Sequence, residues 1–240
     1  IRTVGFPDVK VIGGDELIDL LSQSYDEVGM DETMVICRSN KRANIYNNGI
    51  RNRILFREEE LEPGDMLMVA KNNYFWTEQS KETDFIANGD IAVVRRFRRE
   101  RELYGFRFAD VLLRFPDYND LELEVKLLLD TLHTDTPALP KEMGDRLYQS
   151  VMEDYADITI KRERMKKLKA DPQYNALQVK YAYAVTCHKA QGGQWKRVFL
   201  DQGYMTEEML SPDYFRWLYT AFTRATETLY LVNWPKEQTE

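Results

Sequence analysis

The hydrophobic pattern of this chain changes period twice along its length, and that change limits the folds open to it. Toward both ends the apolar residues come in short unbroken runs: "TMVICRS" at 33–39, "RVFLD" at 197–201 and "TLYLVN" at 228–233. Such runs suit strands buried on both faces, as in parallel sheets. The neighbouring segments have helical spacing. "DELIDLLSQSYDEVG" (15–29) carries Leu17, Leu20, Leu21 and Val28, with Asp15 as candidate N-cap, and "NKRANIYNNGIRN" (40–52) sets Ala43, Tyr46 and Ile50 on one side. With a first short strand in "DVKVIGG" (8–14), the order strand, helix, strand, helix predicts a parallel α/β sheet.

The middle of the chain alternates instead. Leu121, Leu123 and Val125 are interleaved with Glu122, Glu124 and Lys126, the period-two pattern of strands with one wet face. The turn signals "EPGD" (62–65) and "NGD" (88–90) punctuate strand-like "MLMVAK" and "IAVVRRF", and "YGFRFADVLLRF" (104–115) follows. Short antiparallel strands with tight turns predict a small barrel. A helix over 140–158 and the basic run "KRERMKKLK" (161–169) lead back, and "ALQVKYAYAV" resumes the buried pattern from about Asn175. The predicted organisation is one α/β domain, 1–60 plus 175–240, interrupted by a β-barrel domain over 61–174 with a helical, basic return segment.

At 43% hydrophobic and 30% charged residues the composition fits a soluble globular protein. No apolar run reaches the ~18 residues of a membrane span, no signal peptide is visible, and Cys37 and Cys187 are too few for a disulfide framework. A cytoplasmic setting is expected. Ile1 and its neighbours read as mid-protein sequence, so a fragment of a longer chain is expected too. The net charge of -7 argues mildly against a nucleic-acid partner, although "RRFRRER" (95–101) and the 161–169 run are basic. Each run reads either as a phosphate-binding stripe or as a solvated face.

Two segments concentrate polar chemistry. "TCHKAQGGQW" (186–195) sets Thr186, His188, Lys189, Gln191 and Gln194 around Gly192 and Gly193, between two apolar runs. Glycines there allow close backbone approach to a ligand, and amides with a lysine can meet an anion. The loop follows a strand's C-terminal end, where open α/β sheets usually bind ligands. It also reads as an ordinary polar connection. In "SPDYFRWLYTAFTRA" (211–225), Ser211 and Pro212 open a helix with Phe215, Leu218, Tyr219 and Phe222 as its apolar stripe. Arg216, Thr220, Thr223 and Glu227 make a polar stripe beside Arg224. That arginine reads either as a partner for the helix's terminal carbonyls or as a permanent cation for a phosphate.

Together the two segments resemble a known family. "YAVTCHKAQGGQW" is similar to motif V of superfamily 1 helicases, and "YTAFTRATETLYLV" to motif VI. "MVICRSNKRAN" resembles the segment that opens their second RecA-like domain, and "PGDMLMVAKNNYF…NGDIAVV" the SH3-like insertion of the RecD-like, Dda-like branch. The resemblance implies a RecA-like domain interrupted by an SH3-like barrel, in a DNA helicase with a UvrD-like C-terminal half. It implies that Arg224 is an arginine finger for the ATP γ-phosphate, and that Gln191, Gly192 and Gln194 meet the nucleotide. Many relatives carry glutamate at the position of Gln194; glutamine keeps a hydrogen bond there but supplies no charge. Thr186 and His188, with Arg38 and Asn40, are implied to face single-stranded DNA, and Asn72 and Asn73 to lie where the barrel approaches it. Tyr74 beside them is read as core rather than as a base-stacking ring.

The sequence holds no G-x-x-x-x-G-K-[ST] stretch, hence no P-loop lysine and no hydroxyl for Mg²⁺. ATP and Mg²⁺ would therefore need an N-terminal RecA-like domain as partner, and this chain by itself is expected to be inactive. Asp201 at the end of "RVFLD" is read as part of a further sheet strand rather than a metal ligand. His133 and His188 are far apart and no C-x-x-C occurs, so no protein metal site is expected. The resulting expectation is the C-terminal half of an ATP-dependent helicase acting on single-stranded DNA or DNA junctions, 5′ to 3′ by branch, in repair or recombination. Some RecD-like relatives belong to exonuclease complexes, which the resemblance leaves open as nuclease or repair partners, while nothing in this sequence looks like the nuclease itself. The alternatives are a noncatalytic nucleic-acid-binding module and a protein-interaction module built on the barrel.

Overall fold

The computed structural model describes residues 1, 3–78 and 80–239. In chain order the strands are β1 (Val9–Ile12), β2 (Thr33–Cys37), β3 (Met66–Val69), β4 (Ile91–Leu103), β5 (Phe106–Phe115), β6 (Leu121–Leu128), β7 (Leu177–Tyr181), β8 (Ala184–Thr186), β9 (Trp195–Asp201) and β10 (Ala225–Val232). The helices are α1 (Leu17–Val28), α2 (Asn40–Arg53), α3 (Lys141–Asp154), α4 (Lys161–Lys169) and α5 (Pro212–Phe222). They divide into two compact units, residues 1–58 with 183–240 and residues 59–182.

The first unit is a five-stranded sheet in the order β1-β10-β9-β2-β8, every neighbouring pair parallel. The unbroken apolar runs become its interior, with all five residues of β2 buried. Phe199 of β9 and Tyr230 of β10 are register partners whose rings stack at 4.4 Å. Helix α1 starts without the expected cap: Glu16, not Asp15, holds the N-cap position with helical backbone and no capping side chain, and its Oε2 accepts from the Gly13 amide. Helix α2 is capped by Ser39, whose hydroxyl accepts from the Arg42 amide.

β8 is an edge strand, and α2 closes its open side with one side chain. Asn47, 2% exposed, donates from Nδ2 to the Ala184 carbonyl at 2.9 Å. Its Oδ1 accepts from the amides of Tyr183 (3.1 Å) and Ala184 (2.7 Å). The carboxamide thus does what a sixth strand would do, at the point where the chain returns to the sheet. On the other side of β2, Asp201 is buried at the end of β9, ion-paired with Arg42 at 2.6 Å and accepting from the Tyr46 hydroxyl and the Gly203 amide. Asp201 is therefore anchored inside the sheet unit. Burial, with this carboxylate alongside, pushes the Tyr46 phenol well above its ordinary pKa.

Helix α5 keeps its expected start, with Ser211 accepting from the Tyr214 amide and Pro212 in the first turn, but it is rotated from the expected face. Tyr214 and Ala221 are buried, whereas Phe215 and Tyr219 are 57% and 73% exposed. Two overlapping stripes compete in this helix. The one with Ala221 wins because alanine lets the helix approach the sheet, and because the Tyr214 hydroxyl finds Gln202 at 2.7 Å. Glu227 leaves the predicted polar stripe altogether, since it lies in β10.

The second unit is a closed barrel, β3-β4-β5-β6-β7. The expected α/β fold class with a parallel sheet interrupted by a small barrel is thus what forms. "ALQVKY" does not resume the sheet. As β7 it pairs with β3 and β6 and completes the barrel, and the sheet restarts after Tyr183. Leu147 and Val151 of α3 and Leu168 of α4 pack with Phe106, Phe108 and Leu128 in one buried cluster outside the barrel wall. Three of the five arginines of "RRFRRER" are paired with carboxylates: Arg95 with Glu122 (3.3 Å), Arg98 with Glu124, and Arg99 with Asp110 (3.0 Å). No helix among the described residues is long and apolar enough to cross a membrane.

Asn47→Ala removes three hydrogen bonds and strands two buried amides, so it is expected to destabilise the chain by about 2–4 kcal/mol. The urea midpoint measures this; an unchanged midpoint would show that the edge of β8 is satisfied without it.

Candidate functional site

The register of the sheet decides where the polar loop goes. Thr186, the last residue of β8, pairs with Cys37, and Cys37 pairs with Asp201, so the C-terminal ends of β8, β2 and β9 share one edge. Trp195, the first residue of β9, pairs with Ala225, the first of β10, at the opposite edge. Residues 187–194 must therefore cross the sheet from one edge to the other, and they do so without a regular helix. Only the beginning of the loop lies at the C-terminal edge. The glycine pair lies at the N-terminal edge.

The crossing is pinned by buried residues. Cys187 and Ala190 are 3% and 0% exposed, and the Thr186 carbonyl accepts from the amides of Lys189 and Ala190 at 2.9 and 3.0 Å. The Cys187 amide donates to the Cys37 carbonyl, and its thiol to the Trp217 carbonyl at 3.5 Å. Burial pushes the Cys187 thiol up to about 11 and the Cys37 thiol well above its ordinary value. It also lowers the Lys189 ammonium. The amides of Lys189, Ala190 and Gly193 are engaged inside the turn, so an anion cradle made of them is not what the loop offers. Its exposed groups are His188, Gln191, Gly192 and Gln194.

The two glycines are required for different reasons. Gly192 has φ +87°, a conformation side-chain-bearing residues rarely adopt. Gly193 lies against the Trp195 indole, where an added Cβ would stand 2.5 Å from the ring. The Gly193 carbonyl points at Arg224 and accepts from its Nη1 at 2.9 Å. Arg224 follows the end of α5, donating from Nε to the Thr220 carbonyl (3.0 Å) and from Nη2 to the Thr223 hydroxyl (2.9 Å). Its own carbonyl accepts from the Trp195 amide at 2.9 Å. The glycine turn and the arginine therefore meet. The guanidinium is half-buried, and three of its five N–H groups have partners among the described residues. It satisfies one helix-end carbonyl, that of Thr220, and still presents a fixed charge.

At the opposite edge Arg38 is exposed, its guanidinium over the rings of Tyr214 (5.9 Å) and Trp217 (5.8 Å), with Met205 Sδ as a further partner. Asn40 opens α2 beside it, half-buried, and Thr186 is half-buried at the end of β8. Helix α5 runs from this edge, where Tyr214 bonds Gln202, to the other, where Arg224 meets Gly193. Sequence periodicity shows none of this, because edge assignment needs the strand register.

The remaining site candidates are in the barrel unit. Asn73 is consumed by the fold: Nδ2 donates to the Asn175 carbonyl and Oδ1 accepts from the amides of Phe75 and Trp76. Asn72 is exposed, its Oδ1 accepting from the Asn88 amide at 2.7 Å. Tyr74, expected in the core, is 62% exposed and stacks on Phe85 at 5.1 Å. Among the described residues no group of three or more His, Cys, Asp or Glu side chains is placed to hold a metal ion.

Gly193→Ala is expected to push the Trp195 indole aside, costing about 1–3 kcal/mol, whereas Gly192→Ala costs about 1–2 kcal/mol through backbone strain alone. Tryptophan emission separates the two, since only the first moves a ring; an emission change from Gly192→Ala alone would contradict this assignment.

The family model for the UvrD-like helicase C-terminal domain matches residues 181–232, a stretch that contains the whole crossing, α5 and Arg224. No curated protein matches the chain. Among solved structures, the Pif1 helicase from Bacteroides in complex with ADP-AlF3 and ssDNA is 14% identical over 94% of this chain and 47% of its own, with a TM-score of 0.44. The Pif1 helicase from Candida albicans is 12% identical over 94% of this chain and 55% of its own, with a TM-score of 0.41. The chain thus spans about half the length of these structures. The stretch that brings the glycine turn to Arg224 is the one similar to a UvrD-like helicase C-terminal domain.

Proposed function

We propose that this chain is the C-terminal half of an ATP-dependent superfamily 1 DNA helicase, of the RecD-like, Dda-like branch with an SH3-like insertion, moving 5′ to 3′ on single-stranded DNA. The observation that carries this reading is the meeting of Gly193 and Arg224 inside the stretch that matches the helicase family. Bound ATP would close a cleft with an N-terminal RecA-like domain, and cleavage of its phosphoanhydride would let that cleft reopen. Arg224 would leave the Gly193 carbonyl for a γ-phosphate oxygen, exchanging a neutral acceptor for a charged one. Its bonds to Thr220 and Thr223 would keep the fork aimed during that exchange. Gln191 and Gln194, exposed beside it, would meet the ribose and base side of the nucleotide. Mg²⁺ would be held by the other domain, because this sequence has no P-loop hydroxyl to ligate it.

The single strand would lie at the opposite edge, along Thr186, His188, Arg38 and Asn40. Asn73 is left out of that path because its side chain builds its own loop. The crossing 187–194 and α5 would then join the two edges, so that a change at Arg224 is felt where the strand is held.

The 240-residue chain alone should hydrolyse ATP at background rate, with or without DNA, because it holds no G-x-x-x-x-G-K-[ST] loop; robust DNA-stimulated turnover by it would refute the reading. In the full-length protein Arg224→Ala should lower turnover by at least about a hundredfold, with nucleotide binding largely kept. Arg224→Lys should rescue little, because a point charge does not replace the fork. A normal rate in either variant would reduce Arg224 to a helix-end residue.

A further inference from the structure

The basic run at 161–169, which the motor reading leaves unused, becomes helix α4, and its cations stand apart from others in the barrel unit. Arg95, Arg98, Arg99, Arg107 and Arg114 are each paired with a carboxylate. Lys161, Arg162, Lys166, Lys167 and Lys169 are all exposed, and among the described residues none of them makes an ion pair or a side-chain hydrogen bond. Spacing sorts these five. Arg162, Lys166 and Lys169 follow one another at four and three positions, so they form one stripe about 10 Å long, turned away from buried Leu168. Glu163, the one acid of the helix, falls beside Lys167 and outside that stripe.

The stability of the helix does not account for the stripe. Cations in the last turn offset the helix dipole, which covers Lys166, Lys167 and Lys169. Lys161 and Arg162 are in the first turn, the wrong end, and Arg162 repels Lys166 one turn on. The rod is nonetheless held firmly. Arg164 spends Nε and Nη2 on the Ile158 carbonyl (3.0 and 2.7 Å), Leu168 is in the buried cluster, and Asn175 Nδ2 donates to the Lys169 carbonyl at 2.8 Å. Met165, half-buried with the Tyr148 hydroxyl 3.7 Å from its sulfur, is the apolar border of the stripe.

Fixed cations without counter-charges call for an anionic partner, and their surroundings limit its size. Residues 59–182 hold 24 Asp and Glu against 19 Lys and Arg, and six of those cations are on α4. Asp157 is exposed just before the helix, and Asp171 just after it is buried and taken up by the Tyr155 hydroxyl and two amides. A nucleic acid carries charge along its whole length and would run on from α4 over acidic surface. The stripe also has no aromatic ring on which a base could stack. A short acidic peptide needs only the stripe itself.

We propose that the Arg162, Lys166 and Lys169 face of α4 docks a short acidic segment of a partner protein. Its carboxylates meet the three cations, and an apolar side chain lies against Met165. This goes beyond the motor reading and does not rest on it, since neither Arg224 nor nucleotide takes part.

The test titrates the ¹⁵N-labelled 240-residue chain with a dodecapeptide of aspartates and glutamates around leucine. The controls are the same peptide with asparagine and glutamine in place of the acids, and a short DNA duplex. Saturable binding that weakens with added salt is expected, with shifts centred on residues 160–170. Arg162→Gln, Lys166→Gln and Lys169→Gln in combination should weaken it roughly tenfold, as loss of three exposed ion pairs does. Lys81→Gln, an exposed cation on another loop, should leave it unchanged. All four side chains are exposed, so an unchanged melting temperature should accompany the loss. The proposal is overturned if the acidic peptide gives no saturable binding, if the neutral peptide binds as well, or if the triple variant binds undiminished. It is overturned too if the duplex shifts the same residues and displaces the peptide, which would make the stripe a phosphate-binding face.

Discussion

A sheet whose strands all run the same way must carry every connection back across its full height. In this chain that requirement falls hardest on the link from β8 to β9, which has only residues 187–194 and no helix to span the distance. Everything distinctive about the segment follows from it. Cys187 and Ala190 are buried because a bare crossing must be held down, and Gly192 takes a left-handed turn because the direction changes there. Gly193 is bare because the crossing lands on Trp195. Asn47 matters at the other end, fixing the short strand from which the crossing departs.

The same geometry separates two sets of polar groups that look contiguous in the sequence. His188 and Gln194 are six positions apart yet belong to opposite edges of the sheet. A loop that would be one site by proximity along the chain is two sites joined by a strap, with α5 as a second strap beside it. Arg224 shows how the bland and the functional readings of a residue can both hold. Its bond to the Thr220 carbonyl is that of a helix-end cation, and together with the bond to the Gly193 carbonyl it also aims the charge.

Much of this architecture was legible beforehand. The unbroken apolar runs gave the buried strands β2, β9 and β10, and alternation gave β6. Legibility ended where two solutions shared one pattern. β7 reads like a sheet strand because its sequence runs on into the apolar AYAV that leads into β8, although its own residues alternate between buried and half-buried, and only pairing with β3 and β6 assigns it to the barrel. α5 holds two apolar stripes one residue apart, and the small side chain of Ala221 decided between them. Tyr74 was misread because an aromatic between asparagines carries no periodicity at all; its exposure comes from the turn that Asn73 builds. The basic run on β4 read either as a phosphate stripe or as a solvated face, and the carboxylate partners of Arg95, Arg98 and Arg99 on β5 and β6 are something no local window displays.

The two thiols close to the crossing have a practical side. Cys37 and Cys187 are both buried, linked through backbone, and held protonated by desolvation at neutral pH. Thiol-directed dyes and spin labels act on thiolates, so the native chain is close to silent toward them. A cysteine introduced at an exposed position such as Gln194 or Phe215 would be the preferred attachment point without removing either natural one. The protein thus comes prepared for distance measurements across its own sheet.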